Sequence, residues 1–501
     1  MGRAETRLVG LSDHERQQIL EETLYEERRR LESKPADSPE RIQLEKLSKA
    51  LVRGIRGDQI QTAVEMVAEW THEIHGRFSP RVYRMATQVA PKALTSLLTA
   101  RPRRFRDFNL DIERRLNIHG SIPHVHDLIR EGTVVLVPTH VSNLDSPLIG
   151  LSLYLSGLPP FVYGAGLNLF SNPILGWWLR RLGAYTVDRR KRAPLYKDAL
   201  KDYSLQCLTH GYHSLFFPGG TRSRSGEIES HIKKGLLGTT ITAWQENLRT
   251  QVRPRPIFIV PVTLTFQMVL EAATLIEDHL TEHGKQRYII DDDEFSQPAQ
   301  VASFTRRMLE LDASITVHFG QPLDCLGFPV SADPAERHQE ASRRLRFVCD
   351  RNGDVQLDPQ RDRVYTDRLA KNIVAEYPKG TTVFSTHLAA WAAWSVLCDQ
   401  LGYSDPYRVV RTAAGQRAIG RTALTRQIEK GRQVVLAGSA KGSWRHHLPQ
   451  TSEEILEESL DRFSRYHKTR ALNAHNSEII IEDPRLCLYY RNRLLFLNDE
   501  V

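Results

Sequence analysis

Cysteine is sparse in this sequence: five residues in 501, at Cys207, Cys325, Cys349, Cys398 and Cys487. An odd number without paired spacing excludes a disulfide framework or a Cys-rich zinc site and predicts reduced, intracellular thiols. Long apolar runs are missing too. The nearest, Val383–Cys398, is interrupted by Ser385, Thr386 and His387, and it falls short of the ~20 residues a spanning helix needs. No signal peptide is expected, because Met1–Thr6 is polar and leads into a charged helix. Gly2 with Thr6 fits the sparse N-myristoylation pattern, a match that arises often by chance. Neither sign of charge dominates: 68 Lys and Arg against 60 Asp and Glu leave a formal +8. So small an excess predicts local basic patches rather than a polycationic tail, and leaves phosphorylated ligands, anionic surfaces and nucleic acid open as partners. Internal repeats and low-complexity tracts are not evident.

What is there divides into three parts. Residues 1–110 read as a helical N-terminal region. Ser12 and Glu15 form a capping-box pattern, Lys34-Pro35 breaks the first long helix, Ser38-Pro39 starts another, and Gly76 supplies a stop. Arg101–Arg106 is a compact basic cluster, read as a solvated linker in preference to a lipid or phosphate contact. Residues 111–330 alternate strand and helix patterns. Strands are expected at Thr133–Val137, Phe161–Tyr163, Tyr185–Val187, Ser214–Phe217, Ile257–Leu264 and Ser314–Phe319. The fold class is therefore α/β, a mixed and mainly parallel sheet flanked by helices. Residues 331–501 read as mainly helical after a charged connecting segment at 331–363. Helices are expected over Thr366–Tyr377, Thr382–Leu401 and Glu453–Tyr466, and a terminal β-hairpin from Glu478–Ile481 and Leu486–Leu497. Helices plus a hairpin also describe a winged-helix module, but no concentrated basic helix supports nucleic-acid binding.

Four stretches carry chemistry. In the first, the Thr133–Val137 strand ends at Pro138 and delivers His140, and four residues separate it from Asp145. Asp145-Ser146-Pro147 reads as a helix start. A His–Asp pair at such a corner suits proton abstraction from a hydroxyl, the aspartate stabilising the imidazolium; alone, it is as well explained by a structural hydrogen bond. The second, Gly183-Ala-Tyr-Thr-Val-Asp-Arg189-Arg-Lys-Arg192, ends a strand in an acid and four basic residues, suited equally to a phosphate clamp or a surface turn. The third, Phe217-Pro218-Gly219-Gly220-Thr221-Arg222-Ser223, lets backbone amides approach an anion, with Lys233-Lys234 following at an expected helix start. In the fourth, Val260-Pro261-Val262, the proline should mark a strand end or a bulge, and the stretch is equally well read as pure core with little chemistry of its own.

Together these blocks resemble the glycerolipid acyltransferase superfamily, which includes glycerol-3-phosphate, dihydroxyacetone-phosphate and 1-acylglycerol-3-phosphate acyltransferases. That family shows His-x4-Asp, a Gly-to-Arg segment, Phe-Pro-Glu-Gly-Thr-Arg-Ser and Val-Pro-Val. The four follow in that order here, over about 200 of the 501 residues. Leu488-Tyr-Tyr-Arg-Asn-Arg-Leu494 is similar to the tail of the larger glycerol-3-phosphate and dihydroxyacetone-phosphate enzymes. One position departs: Gly219 stands where the family has the glutamate associated with binding the acyl acceptor. The acceptor is thereby left open.

The resemblance implies that His140 is the general base, that Asp145 orients it, and that the acceptor hydroxyl attacks an acyl thioester directly. Backbone amides would hold the oxyanion. Arg189, Arg222, Lys233 or Lys234 would bind the acceptor phosphate, with Gly219, Gly220, Thr221 and Ser223 shaping the site. No cofactor or metal is implied beyond acyl-CoA or acyl-carrier protein as co-substrate. Asp291–Glu294 reads as solvated surface. The expected activity is acylation of glycerol 3-phosphate in phospholipid biosynthesis; the alternatives are 1-acylglycerol-3-phosphate acylation or a non-catalytic lipid-binding homologue. An amphiphilic product implies a cytoplasmic protein in peripheral contact with membrane. Trp177-Trp178 beside Arg180-Arg181 is a candidate edge for it, although core packing explains one of those tryptophans equally well.

Overall fold

A computed structural model describes residues 2–86, 116–170, 173–282, 313–467 and 469–499. Arg101–Arg106 and Asp291–Glu294 lie outside the described residues. The central sheet contains β1 (Leu116–Gly120), β2 (Thr133–Pro138), β3 (Val162–Gly166), β4 (Ala184–Val187), β5 (Ser214–Leu215), β6 (Ile257–Phe266), β7 (Ile315–Phe319) and β8 (Leu323–Asp324). Its order is β1-β7-β6-β2-β5-β3-β4, with β8 also on β6. Among the described residues, its β6–β7 and β6–β8 pairings are antiparallel and the others parallel. This is the expected mixed, mainly parallel α/β sheet. Every residue of β2 and β6 is buried, which is why both read as near-continuous Val/Ile/Leu runs rather than alternating ones.

All six expected strands are present, with one instructive shortening and two additions, β1 and the two-residue β8. The ladder at β5 stops at Leu215, so Phe216 and Phe217 already belong to the loop. β1 was not expected, because Leu-Asn-Ile-His-Gly is only partly buried at the sheet edge and carries no apolar run. The expectation for Pro261 is corrected. It ends nothing and sits inside the continuous β6, in register with Val137 of β2. Its carbonyl accepts from Gly320 N (2.8 Å) on the other side. That side is where the neighbour of β6 changes from β8, at Phe258–Ile259, to β7, at Val262–Phe266. A residue with no N–H is tolerated at such a changeover.

The N-terminal helices Gly2–Gly10, Asp13–Arg30, Pro39–Arg53 and Arg56–Ile74 carry the expected capping box at Ser12 and Glu15. Leu8, Leu20, Leu47, Val67 and Trp70 share one apolar cluster with Tyr185 of β4 and with Leu195 and Tyr196. This region is therefore packed onto the β4 edge of the sheet, and Arg7 bridges to Asp198 (2.9 Å) and Asp202 (2.7 Å) there.

Beyond residue 330 one expected helix is longer, one is shorter, and the connecting segment is partly helical. The connecting segment contains the helix Pro334–Leu345, and the next helix runs Pro359–Gly380, capped by Asp358. Its first two turns are largely solvated, so no apolar period marks them. Thr382–Leu401 divides into β9 (Thr382–Phe384) and the buried helix Ser385–Leu401; β9 pairs with β11 (Arg445–His447). β10 (Ala418–Gly420), β12 (Asn473–His475) and β13 (Glu478–Ile480) form a small antiparallel sheet. The expected terminal hairpin is corrected. Glu478–Ile480 is a strand, but its hairpin partner is β12, and Pro484–Asn492 is a helix. The helix signal was legible: Asp483 caps it and Pro484 takes the first turn.

Apolar packing does not break near residue 330. One cluster joins Val134, Leu136, Val260 and Leu264 of the sheet to Leu388, Trp391, Leu472 and Tyr489. Among the described residues, no helix is long and apolar enough to cross a membrane. The Asp483 cap gives a direct test of the tail helix. Asp483→Ala removes acceptors for Arg485 N (2.9 Å) and Leu486 N (3.4 Å). It should cost about 1 kcal/mol, read as a lower midpoint in urea unfolding.

Candidate active site

In a parallel sheet the loops at the carboxyl ends of the strands form the binding edge. β2 and β5 are neighbours with parallel direction, so the loops after Pro138 and Leu215 leave the sheet side by side. The first brings His140 and the second the Phe217–Ser223 turn. The two loops are stitched together: Ser223 N donates to His140 O (2.8 Å), and the Phe217 ring stacks on the imidazole with centroids 4.3 Å apart.

Asp145 opens the Asp145–Leu155 helix, but not as its cap. Leu144 holds the cap position without a side-chain bond. The Asp145 carboxylate turns back into the loop instead. Its Oδ2 accepts from Val141 N (2.6 Å) and Ser142 N (3.0 Å) and lies 2.7 Å from His140 Nδ1. Asp145 is fully buried, whereas the His140 side chain keeps 16% of its exposure. With two backbone donors already on Oδ2, the contact to the ring is best made as donation from Nδ1–H. That tautomer leaves Nε2 as the basic nitrogen.

Two carboxylates that sequence reasoning missed complete the surroundings. Glu271 accepts from Ser142 Oγ (3.0 and 3.1 Å) and Asn143 N (2.9 Å), and pairs with Arg222 Nη1 at 3.5 Å. It holds the loop after His140 and the motif arginine at once, and burial raises its pKa. Nothing local in the sequence marks it, since it follows β6, more than 120 residues from Ser142. Glu229 accepts from His140 N through Oε1 (3.0 Å). Burial, with the like charge of Asp145, pushes it up to about 7, against the backbone hydrogen bond and Arg493. Its signal was available: a motif lacking its usual acid at 219 is followed ten residues later by Glu229.

The remaining expected residues are distributed unevenly. Gly220 N donates to Phe217 O (3.1 Å), closing a turn with Pro218 at its second position, and Gly220 has φ 78°. Thr221 is exposed beside it. Ser223 Oγ donates to Glu227 O (2.8 Å), so its hydroxyl braces the loop. The Lys233 ammonium lies against Gly220, and Lys233 N donates to Pro218 O (2.8 Å). Lys234 instead pairs with Asp367 at 2.6 Å. The helix expected at these lysines begins only at Gly238. Arg189 is exposed after β4, and β5 and β3 lie between that strand and β2. Three ladder steps of ~4.8 Å put it about 14 Å across the sheet edge. Its neighbours serve the structure: Arg190 pairs with Asp188 (3.1 Å), and the buried Lys191 pairs with Glu73 of the N-terminal region.

The tail closes the site from below. Asn492 Nδ2 donates to Ser225 O (2.8 Å), and Arg493 reaches Glu227 O at 3.5 Å. Burial lowers the Arg493 pKa, while Tyr489, Asp145 and Glu229 lie within its electrostatic reach. Gly226 has φ 83°, and a side chain there would run into Tyr489 O. His387, in the buried helix, bonds Phe266 O (3.0 Å), and burial lowers it to about 3. It is a core histidine. Among the described residues, no cluster of His, Cys, Asp and Glu fits a metal ion.

Residues 115–265 match the family model described as Acyltransferase. The stretch that carries the His140–Asp145 corner and the Phe217–Ser223 turn is thus similar to an acyltransferase domain. The chain is similar, more particularly, to glycerol-3-phosphate acyltransferases. It is 26% identical to the one from Pseudomonas entomophila over 385 residues, 75% of this chain and 40% of that protein. It is 29% identical to the one from Pseudomonas syringae pathovar tomato over 228 residues, 45% of this chain and 26% of that protein. A Pseudomonas fluorescens protein of the same name is 30% identical over 222 residues, 44% and 25% of the two chains. The matched region spans less than half the length of these curated relatives.

The elevated Glu229 makes a signed prediction. Unfolded, this carboxyl ionises near its ordinary value of 4.5; folded, near 7. Between those pH values the folded state holds the extra proton, so the contribution of Glu229 to stability falls as pH rises and levels off above about 7. Thermal midpoints of wild type and Glu229→Gln should therefore diverge in favour of the variant between pH 4.5 and 7.

Proposed function

We propose that this protein is an O-acyltransferase that moves a fatty acyl group from a thioester, acyl-CoA or acyl-carrier protein, to a hydroxyl of glycerol 3-phosphate. The observation that carries the reading is the His140 Nδ1–Asp145 Oδ2 contact of 2.7 Å at the end of β2, braced against the Gly219-Gly220 turn. It lies in a stretch matching the Acyltransferase model. The similarity to glycerol-3-phosphate acyltransferases supports the acceptor.

In this mechanism Nε2 of His140 takes the proton of the acceptor hydroxyl as its oxygen attacks the thioester carbonyl. The C–O bond forms, the tetrahedral intermediate collapses with loss of the C–S bond, and the imidazolium returns its proton to the thiolate. Asp145 keeps the tautomer and stabilises the cation. Arg222 and Lys233 bind the acceptor phosphate beside the turn, and Gly219, Gly220, Thr221 and Ser223 shape that subsite. Arg189 meets the more distant part of an anionic ligand. Lys234, engaged by Asp367, contributes general positive potential rather than a direct bond.

The membrane is approached through the helix Pro173–Arg181. There Trp177 is 44% exposed, and the Arg181 guanidinium lies 4.0 Å from the centre of its ring. An aromatic and cationic edge of that kind suits the headgroup layer.

Thiol release from palmitoyl-CoA, with lipid product identified, tests the reaction. Glycerol 3-phosphate should support turnover better than dihydroxyacetone phosphate or 1-acylglycerol 3-phosphate, and His140→Ala should lower kcat by about 10²–10⁴-fold. Failure of folded wild type with every acceptor, and with acyl-carrier-protein donor, would replace the enzyme by a lipid-binding homologue. Vesicle flotation tests the surface: Trp177→Ser should weaken partition into anionic vesicles by about fivefold, on the order of 1 kcal/mol for a partly inserted aromatic side chain.

A further inference from the structure

The Leu488–Leu494 tail has no part in the mechanism above, yet one buried acid ties it to the reacting residues. Glu271 follows β6 and opens the helix Ala272–Glu282, its carbonyl accepting from Leu275 N (2.9 Å). Its side chain is only 4% exposed, so it acts through its neighbours and not on a bound substrate. Oε1 accepts from Asn143 N (2.9 Å) and lies 3.5 Å from Arg222 Nη1, and both oxygens accept from Ser142 Oγ. Ser142 in turn gives its N–H to Asp145 Oδ2 (3.0 Å), the oxygen that meets the His140 ring. The contacts therefore run from the base through Asp145 and Ser142 to Glu271, and on to Arg222, which is 25% exposed and open to a ligand.

The segment just before Glu271 is held from the C-terminal region. The buried Tyr490 hydroxyl accepts from Val269 N (3.1 Å) and donates to Val269 O (3.3 Å), two residues ahead of Glu271. His467 Nε2 stands 2.7 Å from the same hydroxyl. Gln267 is tied as well: its carbonyl accepts from Thr386 Oγ1 (2.6 Å), and its amide donates to Glu458 (2.8 Å). A carboxylate placed on so constrained a stretch has little freedom to shift, and a side chain locked in this way is what gives a neighbouring cation a fixed direction.

We infer that Glu271 is a positioning residue that fixes Arg222 relative to the loop carrying His140, and that the tail acts on the reaction through it, Tyr490 holding the segment from which Glu271 projects. The tail is then part of the machinery that aligns base and phosphate-binding cation, at a separation of 221 residues from Val269. Charge and aim make opposite demands here. Removing a carboxylate from beside an anion site should, by Coulomb attraction alone, tighten the anion. Removing the group that aims Arg222 should weaken it. This inference rests on the acyltransferase reading given above.

The test is steady-state kinetics with glycerol 3-phosphate and palmitoyl-CoA, each variant checked for folding by its thermal midpoint. Glu271→Gln keeps an acceptor for Asn143 N but loses the charge that meets Arg222. It should raise KM for glycerol 3-phosphate by about tenfold, the loss of one hydrogen bond to a charged group, while kcat and KM for palmitoyl-CoA stay within about twofold. In an Arg222→Gln background the same change should move acceptor KM by less than about twofold, because residues acting through one contact are not additive. Glu271→Ala also frees the loop behind His140 and should lower kcat by about tenfold or more. Tyr490→Phe should lower kcat by about fivefold in wild type and leave it unchanged in Glu271→Ala. If Glu271→Gln leaves acceptor KM unchanged or lowers it while wild type turns over, Glu271 does not aim Arg222 and this inference falls alone. Equal losses from Tyr490→Phe in both backgrounds would also overturn it, since the tail would then act by another route. Wild type inactive with every acceptor removes the acyltransferase reading and this inference together. Should Glu271→Ala not fold, the Tyr490→Phe comparison is made on acceptor KM in Glu271→Gln, where the same absorption of the effect is expected.

Discussion

Everything at this site hangs on one buried oxygen. Asp145 Oδ2 gathers two backbone N–H groups and one imidazole nitrogen within 3.0 Å. A carboxylate taken fully out of water is tolerable only with such direct compensation. The same contacts curl the loop after β2 so that the His140 main chain meets Ser223 and Glu229, and its ring meets Phe217. Loop shape and ring orientation therefore share a cause. Replacing the aspartate would disturb both together, so a change at Asp145 reports on more than acid–base chemistry.

Around this point the carboxylates are layered by what they hold. Asp145 holds the ring, Glu229 the main chain of the same residue, and Glu271 the following loop together with Arg222. Arg493, buried beside Asp145 and Glu229, offsets part of that negative charge from within. A covered cluster of acids with a single buried arginine is electrostatically demanding. It persists because most of the oxygens meet N–H or O–H donors, which low polarity strengthens.

How much of this was legible in the chain depended on range. Strands buried on both faces announced themselves as apolar runs, and the His140-x4-Asp145 spacing survived into a direct contact. A short-range signal that was present but misread is Asp483-Pro484, a helix cap inside the expected hairpin; Asp145-Ser146-Pro147 does start a helix, though its aspartate serves the loop and not the cap. Pro261 looked like a strand end because the rule against central prolines ignores a strand whose partner changes at that point. Glu271 had no local mark at all, and Arg493 was marked only as part of the Leu488–Leu494 tail, with nothing to say what it touches. Their meaning is created by contacts spanning about 130 and 270 residues, and periodicity carries no information about those.

The tail helix gives the architecture a temporal side. Asn492 seals Ser225 across a separation of 267 residues. At ~5–20 residues per second of synthesis, the turn waits roughly 13–50 s for the segment that packs beneath it. During that interval Gly226 and the acids above it lack their protein cover, while β2, β5 and β6 are already made. The loop at Ser225 and the shared core that Tyr489 helps to fill therefore wait on the same late segment.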